Sequence, residues 1–527
     1  LWFLSFFFFL TSGCTPVDHW EVFQPDYDAL IREEALEPLE SAGAFQPEMT
    51  ERTEFELPPP GKSLKLSIEE TTILALRNNR ELRVQQLSPV IAGTFELIER
   101  GVFDPELFAE IRYAEETASE ISRATGEQFS VESSQTLAEA GVRQDLPSGT
   151  TLEASLEHDR IQSNRAPDQT SARVGLSITQ SLLEGFGPAV NLVSVRQAEL
   201  DTLASIYELR GFTEALLAQT EIAYWNYVLA LQEISIFESS LDIARQQRNE
   251  VEQQIEVGLL PETQAAATRA EVARREQDLI DARSLLEDRR LRLLRLISPG
   301  ETGQLDRRFQ PESDPRIVPE PLENQAERLA LAERSRPDLA EAHLRRRQGR
   351  LETIVTRNGL LPPLDLFIDL GKPGFAESFS DSFQNLDEDS YDFSTGLRLS
   401  HFLRNRTDEA RHEAARATHR QAAEAVDNLR QIVRLDVRLA VNEVERARQQ
   451  ITASKATRRF AEQTARAEKE RFDVGASTAL LVAQAQRDLL AARIEEVRAI
   501  VNYRIALVDL YLSEGSLLQR RGVRIGG

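Results

Sequence analysis

Residues Arg404 to Val474 make a stretch of 71 without a proline or a glycine, closed by Gly475. Helices of ordinary globular domains run roughly 8 to 20 residues, so the stretch predicts a rod. At about 1.5 Å of rise per residue the rod would be roughly 100 Å long. It cannot bury its apolar stripe against itself and requires partner helices of matching length. The same chain supplies one: Ala189 to Val257 is 69 residues with no proline and one glycine, Gly211, stopped by Gly258 and Pro261.

The surroundings of the two rods are duplicated as well. A helical pattern from Leu66 to Gly101, with Ser67 and Glu70 as a capping box and an interruption near Pro89, ends at Gly101-Val102-Phe103-Asp104-Pro105. A second, from Leu322 to Asn358, ends at Gly359-Leu360-Leu361-Pro362. Each leads into segments that alternate apolar and polar residues: Leu107 to Tyr113 and Ala172 to Thr179 in the first half, Leu364 to Leu370 and Phe393 to Leu399 in the second. Each rod is followed by a turn and a shorter helix, the first over Glu262 to Ile297 and the second with Ile494, Val497, Val501, Ile505, Val508 and Leu512 at heptad-like spacing.

Pro105 and Pro362 are 257 apart, whereas Phe186 and Phe402 are 216 apart and Gly258 and Gly475 are 217 apart. The first half therefore carries about 40 extra residues between Pro105 and Phe186. Ala138 to Gln144 and Thr151 to His158, flanking Asp145-Leu146-Pro147-Ser148-Gly149, read as an extra hairpin there. The chain divides into a signal peptide (1–13), an acidic extended arm (14–63), a first repeat (64–297; strands about 106–182, long helix 189–257), a linker (298–321), a second repeat (322–513; strands about 364–402, long helix 404–474) and a tail (514–527).

The net charge of −24 argues against nucleic acid, because phosphate binding needs clustered Lys and Arg. The one cysteine, Cys14, follows an apolar run in the context Leu10-Thr11-Ser12-Gly13. That pattern resembles a bacterial lipoprotein signal whose Cys is acylated, for instance with palmitate; an ordinary signal peptide is the alternative. Leu1 in place of Met is expected to reflect a truncated start or an alternative start codon. No later stretch holds 18 consecutive apolar residues, so a membrane-spanning role after cleavage would require a closed β-barrel. Half-buried strands of a soluble sheet alternate in the same way, and alternation alone does not decide between the two.

Catalytic chemistry is not visible. The histidines at 19, 158, 343, 401, 412 and 419 show no metal-ligand spacing, no nucleophile elbow appears, and Gly185-Phe186-Gly187 precedes a rod rather than a βαβ unit. No enzyme, metal or cofactor is expected.

Helix, strand pair, very long helix, Val-Gly turn and shorter helix, performed twice, resembles the TolC-type outer-membrane factor family. The residues that carry the resemblance are Leu76-Arg77-Asn78-Asn79-Arg80-Glu81-Leu82, Ser177-Ile178-Thr179-Gln180 with Gly185-Phe186-Gly187, Val257-Gly258-Leu259-Leu260-Pro261 and Arg471-Phe472-Asp473-Val474-Gly475. It extends from about Leu64 to Leu512. The resemblance implies a mainly α fold with a membrane β-barrel: a homotrimer whose helices form an α-barrel and whose strands, four per copy, share one β-barrel. It further implies an outer-membrane exit duct of a tripartite efflux or type I secretion system, reaching into the periplasm of a Gram-negative bacterium. Its partners would be a periplasmic adaptor, an inner-membrane pump of RND or ABC type, and outer-membrane lipid.

By the same resemblance Gly258, Pro261 and Gly475 stand at the periplasmic tip turns where an adaptor docks. Where relatives carry a pair of acids at the tip aperture this chain has Leu481 and Gln484, and Asp473 or Asp488 could substitute. Val174, Leu176, Ile178, Phe393, Leu397 and Leu399 would face lipid. If the extra hairpin joins the barrel each copy gives six strands and a trimer eighteen; the alternative is a hairpin outside the membrane. A coiled-coil scaffold of the periplasm or cytosol, without channel activity, is the competing class.

Overall fold

The computed structural model describes residues 64–121, 123–124, 126–297, 308–322, 324–376, 378, 382, 385–387 and 390–523. The expectations for the signal peptide, Cys14 and the acidic arm lie outside these residues. The chain divides into two compact units. One contains Ala92–Thr202 and Arg345–Ala423; the other contains residues 64–91, Leu203–Leu344 and residues 424–523.

The second unit is helical apart from one small sheet. Strand β1 (Leu64–Leu66) leads into α1 (Ile68–Asn78), whose capping box is formed: Ser67 N donates to Glu70 Oε2 at 2.8 Å and Glu70 N to Ser67 Oγ at 3.1 Å. The chain breaks at Asn79, which is extended and whose side chain caps α2 (Arg80–Gln85) by accepting from Leu82 N at 3.0 Å. Gln86 then separates α2 from α3 (Leu87–Gly101). The expected interruption near Pro89 is present at Gln86, and a further break comes at Asn79, which offers a side-chain cap. Pro89 lies in the first turn of α3, where its missing N–H costs no bond.

In the first unit β2 (Glu106–Ile121), β3 (Gln128–Leu146), β4 (Thr150–Ser163) and β5 (Ala166–Ser181) follow. The short α4 (Pro188–Asn191) begins with Pro188 after the left-handed Gly185 and Gly187 (φ 77° and 89°), so the glycine loop starts a helix. A break at Leu192 separates it from the first rod, α5 (Val193–Glu256), which turns into α6 (Thr263–Ile297).

The second half has β6 (Phe309–Pro311), α7 (Gln325–Ser335), α8 (Pro337–Asn358), β7 (Leu364–Ala376), β8 (Asp392–Leu399), the second rod α9 (Arg406–Asp473), α10 (Ala479–Ser513) and α11 (Leu517–Arg520). The continuous helix expected over 322–358 is cut in two. Arg336 precedes Pro337 and is extended (φ −68°, ψ 122°), the conformation a following proline ring imposes.

Two features of the helical unit were not read from the chain. β1 pairs in parallel with β6, joining two segments 245 residues apart, Leu64 opposite Phe309. The Tyr224-Trp225-Asn226-Tyr227 run of α5 holds this pair in place. Tyr224 Oη donates to Leu66 O at 3.2 Å and accepts from Ser313 N at 3.0 Å, while Tyr227 Oη donates to Phe309 O at 2.7 Å. Trp225 is buried in the same core as Leu293, Leu294 and Val501, with the Arg504 guanidinium 5.1 Å above its ring. Trp225 is thus a packing residue.

Elsewhere the rods bury stripes against their shorter neighbours: Leu241 and Ala244 against Val272 and Leu279, and Val444 and Ala447 against Tyr503, Ala506 and Leu510. Each such side chain adds roughly 1.5–3 kcal/mol for a Leu or Val and less for an Ala.

Candidate functional site

Two places carry the functional expectations: the sheet in the first unit and the rod tips in the second. The sheet has the order β2-β3-β4-β5-β7-β8, every neighbouring pair antiparallel. The extra hairpin β3–β4 is therefore inserted within it, between β2 and β5. Its strands run well beyond the expected Ala138 to Gln144 and Thr151 to His158.

Paired residues of a sheet share a face, so the register assigns faces directly. One row reads Leu107, Val142, Ala154, Leu176, Leu370, Phe393, apolar on all six strands. Above and below it lie Ala109, Ala140, Leu156 and Val174, then Leu152, Ile178 and Ile368. These side chains do not pack into a core: Leu107 is 81% exposed, Leu176 42% and Leu397 65%. Val174, Leu176, Ile178, Phe393, Leu397 and Leu399 all belong to this face, Ile178 half-buried and the others exposed. No helix among the described residues is long and apolar enough to cross a membrane.

The opposite face is charged. Glu106 pairs with Arg143, and Arg143 Nε donates to Glu153 Oε2 at 2.7 Å. Arg173 on β5 reaches across β7 to Asp392 on β8 with two hydrogen bonds, 2.8 and 3.0 Å. It passes over Gly371, where a Cβ would lie 2.1 Å from Asp392 Oδ1 and 2.6 Å from Arg173 Nε. Glycine is thus required by the ion pair that crosses it. Ser177 Oγ donates to Asp369 at 2.6 Å in the next row.

β2 to β5, of 14 to 19 residues, outrun the apolar rows. Crossing a membrane takes about 9–11 tilted residues. Past Tyr113, Thr136 and His158 polar side chains predominate on both faces, tied by pairs such as Gln135 to Asp159 at 3.0 Å.

The rod tips are built as copies of each other. Gly258 (φ 74°) donates to Ile255 O at 3.0 Å and Leu259 N to Gln254 O at 2.8 Å. Gly475 (φ 78°) donates to Phe472 O at 2.9 Å and Ala476 N to Arg471 O at 2.7 Å. Both are left-handed glycine caps that satisfy the last carbonyls of a rod, and both demand a positive φ. The tips touch: Ala479 N donates to Gln264 Oε1 at 3.2 Å, and Val251, Phe472, Ala479 and Val482 form one small core. Beyond that core Val257, Leu259, Val474 and Leu480 are exposed. Pro261 sits between the first cap and α6, its carbonyl accepting from Gln264 N at 3.1 Å. Asp473 ends α9 and is exposed; Leu481, Gln484 and Asp488 form an exposed stripe of α10 at spacings of three and four.

Among the described residues no group of acidic, His or Cys side chains could hold a metal ion. His412 meets Thr356 (3.2 Å) and His419 the Arg346 carbonyl (3.2 Å), contacts that account for both rings structurally.

Residues 329–516 match the sequence model of the family described as outer membrane efflux protein. The match lies within the second half of this chain. A search of curated protein sequences found no match. Among solved structures, the outer membrane channel CmeC of Campylobacter jejuni is similar at a TM-score of 0.64 and 15% identity, over 85% of this chain and 86% of that one. The outer membrane protein VceC of Vibrio cholerae is similar at 0.62 and 14%, over 87% and 96%. The open state of the MtrE outer membrane channel of Neisseria gonorrhoeae is similar at 0.59 and 19%, over 91% and 96%. The fold, long helices with a strand sheet, is that of these channels.

Proposed function

We propose that this chain is the outer-membrane duct of a tripartite exporter, acting as a passive channel rather than an enzyme. The carrying observation is the apolar row that runs across all six strands and stays exposed. An open sheet cannot face lipid, because unpaired edge groups in hydrocarbon cost several kcal/mol each. Edge strands β2 and β8 must therefore be completed by other copies, and a trimer with the apolar face toward lipid and the charged face toward water is the arrangement proposed. The excess of carboxylates on the charged face favours cationic cargo.

The tip turns at Gly258, Pro261 and Gly475, with exposed Val257, Leu259 and Val474 beside them, are proposed as the docking surface for a periplasmic adaptor that links the duct to an inner-membrane pump. Asp473, Leu481, Gln484 and Asp488 are proposed as the aperture, gated by movement of the α5–α6 and α9–α10 hairpins. Leu481 and Gln484 add no charge to that ring, so its acidity would come from Asp473 and Asp488.

The test is the native mass of the protein extracted with detergent from isolated outer membranes. A three-chain particle is expected. A soluble dimer recovered without detergent would replace the duct with a coiled-coil scaffold.

A further inference from the structure

The β3–β4 hairpin has the features of barrel wall. Its apolar side chains Leu152, Ala154 and Leu156 on β4 and Val142 and Ala140 on β3 share rows with Ile178, Leu176 and Val174 on β5. Its other face carries Arg143, Glu153 and Glu157 in rows with Glu106, Ser177 and Arg173. A hairpin standing in water on both sides would gain nothing from holding the Ala140–Leu156 and Val142–Ala154 pairs in register with the apolar residues of β2 and β5.

The first turn also ties the hairpin to the chain below it. Gly149 O accepts from Ser181 N at 2.9 Å, Ser148 O from Gly187 N at 3.0 Å, and Pro147 O from Asn191 Nδ2 at 3.1 Å.

A second observation is independent of the rows. On β3, Gly141 lies opposite Phe108 of β2, whose ring would come within 2.7 Å of a Cβ there, and Arg143 stacks on that ring at 5.2 Å. On β8, Gly396 lies opposite Phe367 of β7, whose ring would come within 2.6 Å of a Cβ there, and Arg398 stacks at 5.4 Å. The Gly-x-Arg strand laid against a Phe occurs once in the inserted hairpin and once at the sheet's far edge. β3 is thus built as a wall strand of the same kind as β8.

We infer that the hairpin belongs to the barrel wall, so that three copies close a barrel of eighteen strands instead of twelve. This rests on the trimeric duct proposed above. Closure is consistent with strand direction: six successive antiparallel strands leave β2 and β8 antiparallel, so β8 of one copy can pair with β2 of the next around a three-fold ring. With strands about 4.8 Å apart and tilted about 40°, eighteen give a ring about 36 Å across between strand axes and twelve about 24 Å. The exit is widened about 1.5-fold, into the range where barrels keep an aqueous lumen.

The test is electron cryomicroscopy of the full-length protein, extracted from outer membranes into lipid nanodiscs. Eighteen strands in a ring about 36 Å across are expected. A twelve-strand ring with β3–β4 outside the wall would overturn the inference and leave the trimeric duct standing. Absence of any three-chain membrane particle would overturn the duct reading itself. A second measurement compares heat-resistant oligomer in outer membranes for Leu156→Asp and Val174→Asp. Both should lose it about tenfold or more, the cost of a charge on a lipid face. Wild-type oligomer in Leu156→Asp beside loss in Val174→Asp places the hairpin off the wall.

Discussion

The helical unit and the sheet unit place apolar side chains on opposite sides of the protein surface. In the helices Val433, Val437 and Val444 are fully buried, and the outward positions mix charged pairs such as Arg446–Glu443 and Arg448–Glu445 with exposed Leu435, Leu439 and Phe460. In the sheet the outward positions are Leu107, Ile111, Leu397 and Leu399, each exposed by well over half, while Arg173, Asp392, Ser177 and Asp369 bond to one another on the other face. One chain thus follows two solvent rules. The sheet turns outward a continuous apolar row, whereas the helices keep Val433, Val437 and Val444 inside. On the proposed duct, the medium each unit meets decides which face is apolar.

Charge substitutions in each unit test this contrast, and those in the helices should cost most. Val444→Asp buries an unpaired carboxylate against Tyr503 and Leu510 and should cost about 3–5 kcal/mol, read as a fall in Tm of the purified protein. Leu176→Arg should cost about 2–4 kcal/mol if its face meets lipid. Its readout is lost membrane oligomer, with helical circular dichroism retained; an unaffected oligomer would remove the difference between the units.

Smaller effects follow within the helical unit. Tyr224→Phe removes the bonds to Leu66 O and Ser313 N and should cost about 1–3 kcal/mol in urea unfolding, with the β1–β6 pair exchanging its amide protons faster. Gly475→Ala must hold φ near 78° and should cost about 1–2 kcal/mol, and Gly258→Ala about the same, as matched caps require. If only one matters, the tips are not equivalent. The last prediction concerns pH. Burial raises the pKa of Glu214, partly opposed by the hydrogen bond from Leu518 N at 3.4 Å. The folded state then holds that proton more tightly than the unfolded chain. Its contribution to stability is complete below the ordinary carboxylate value and lost as pH rises through the raised one. Glu214→Gln should flatten that part of the Tm–pH curve, and an unchanged slope would assign it to other groups.

Much of this was legible in the residues. A run without proline or glycine has one regular structure open to it, so the rods at 193–256 and 406–473 could be read within a few residues. The glycines that stop them were readable because a helix ending in a left-handed turn needs that residue. Period-two alternation located β5, β7 and β8. Other elements were not legible, for identifiable reasons. The three-residue strands β1 and β6 are too short for a period and exist only because Tyr224, Tyr227 and Phe309 bring them together. The split at Pro337 is masked by apolar spacing that continues across it, although the proline ring itself forces Arg336 out of the helix. In the tip, the contact of Ala479 with Gln264 joins residues 215 apart and left no local trace.

Local choices are written in the chain: which segments are helix or strand, where they stop, the duplication, and the presence of an extra hairpin. Each follows from backbone sterics and periodicity within a few neighbouring residues. The place of the hairpin was settled by long-range pairing. Alternation assigns side chains to two faces of a strand, but pairing partners and register depend on residues far apart in the chain. It is the pairing of β3 with β2 and of β4 with β5 that aligns Leu107, Val142, Ala154, Leu176, Leu370 and Phe393 into one apolar row.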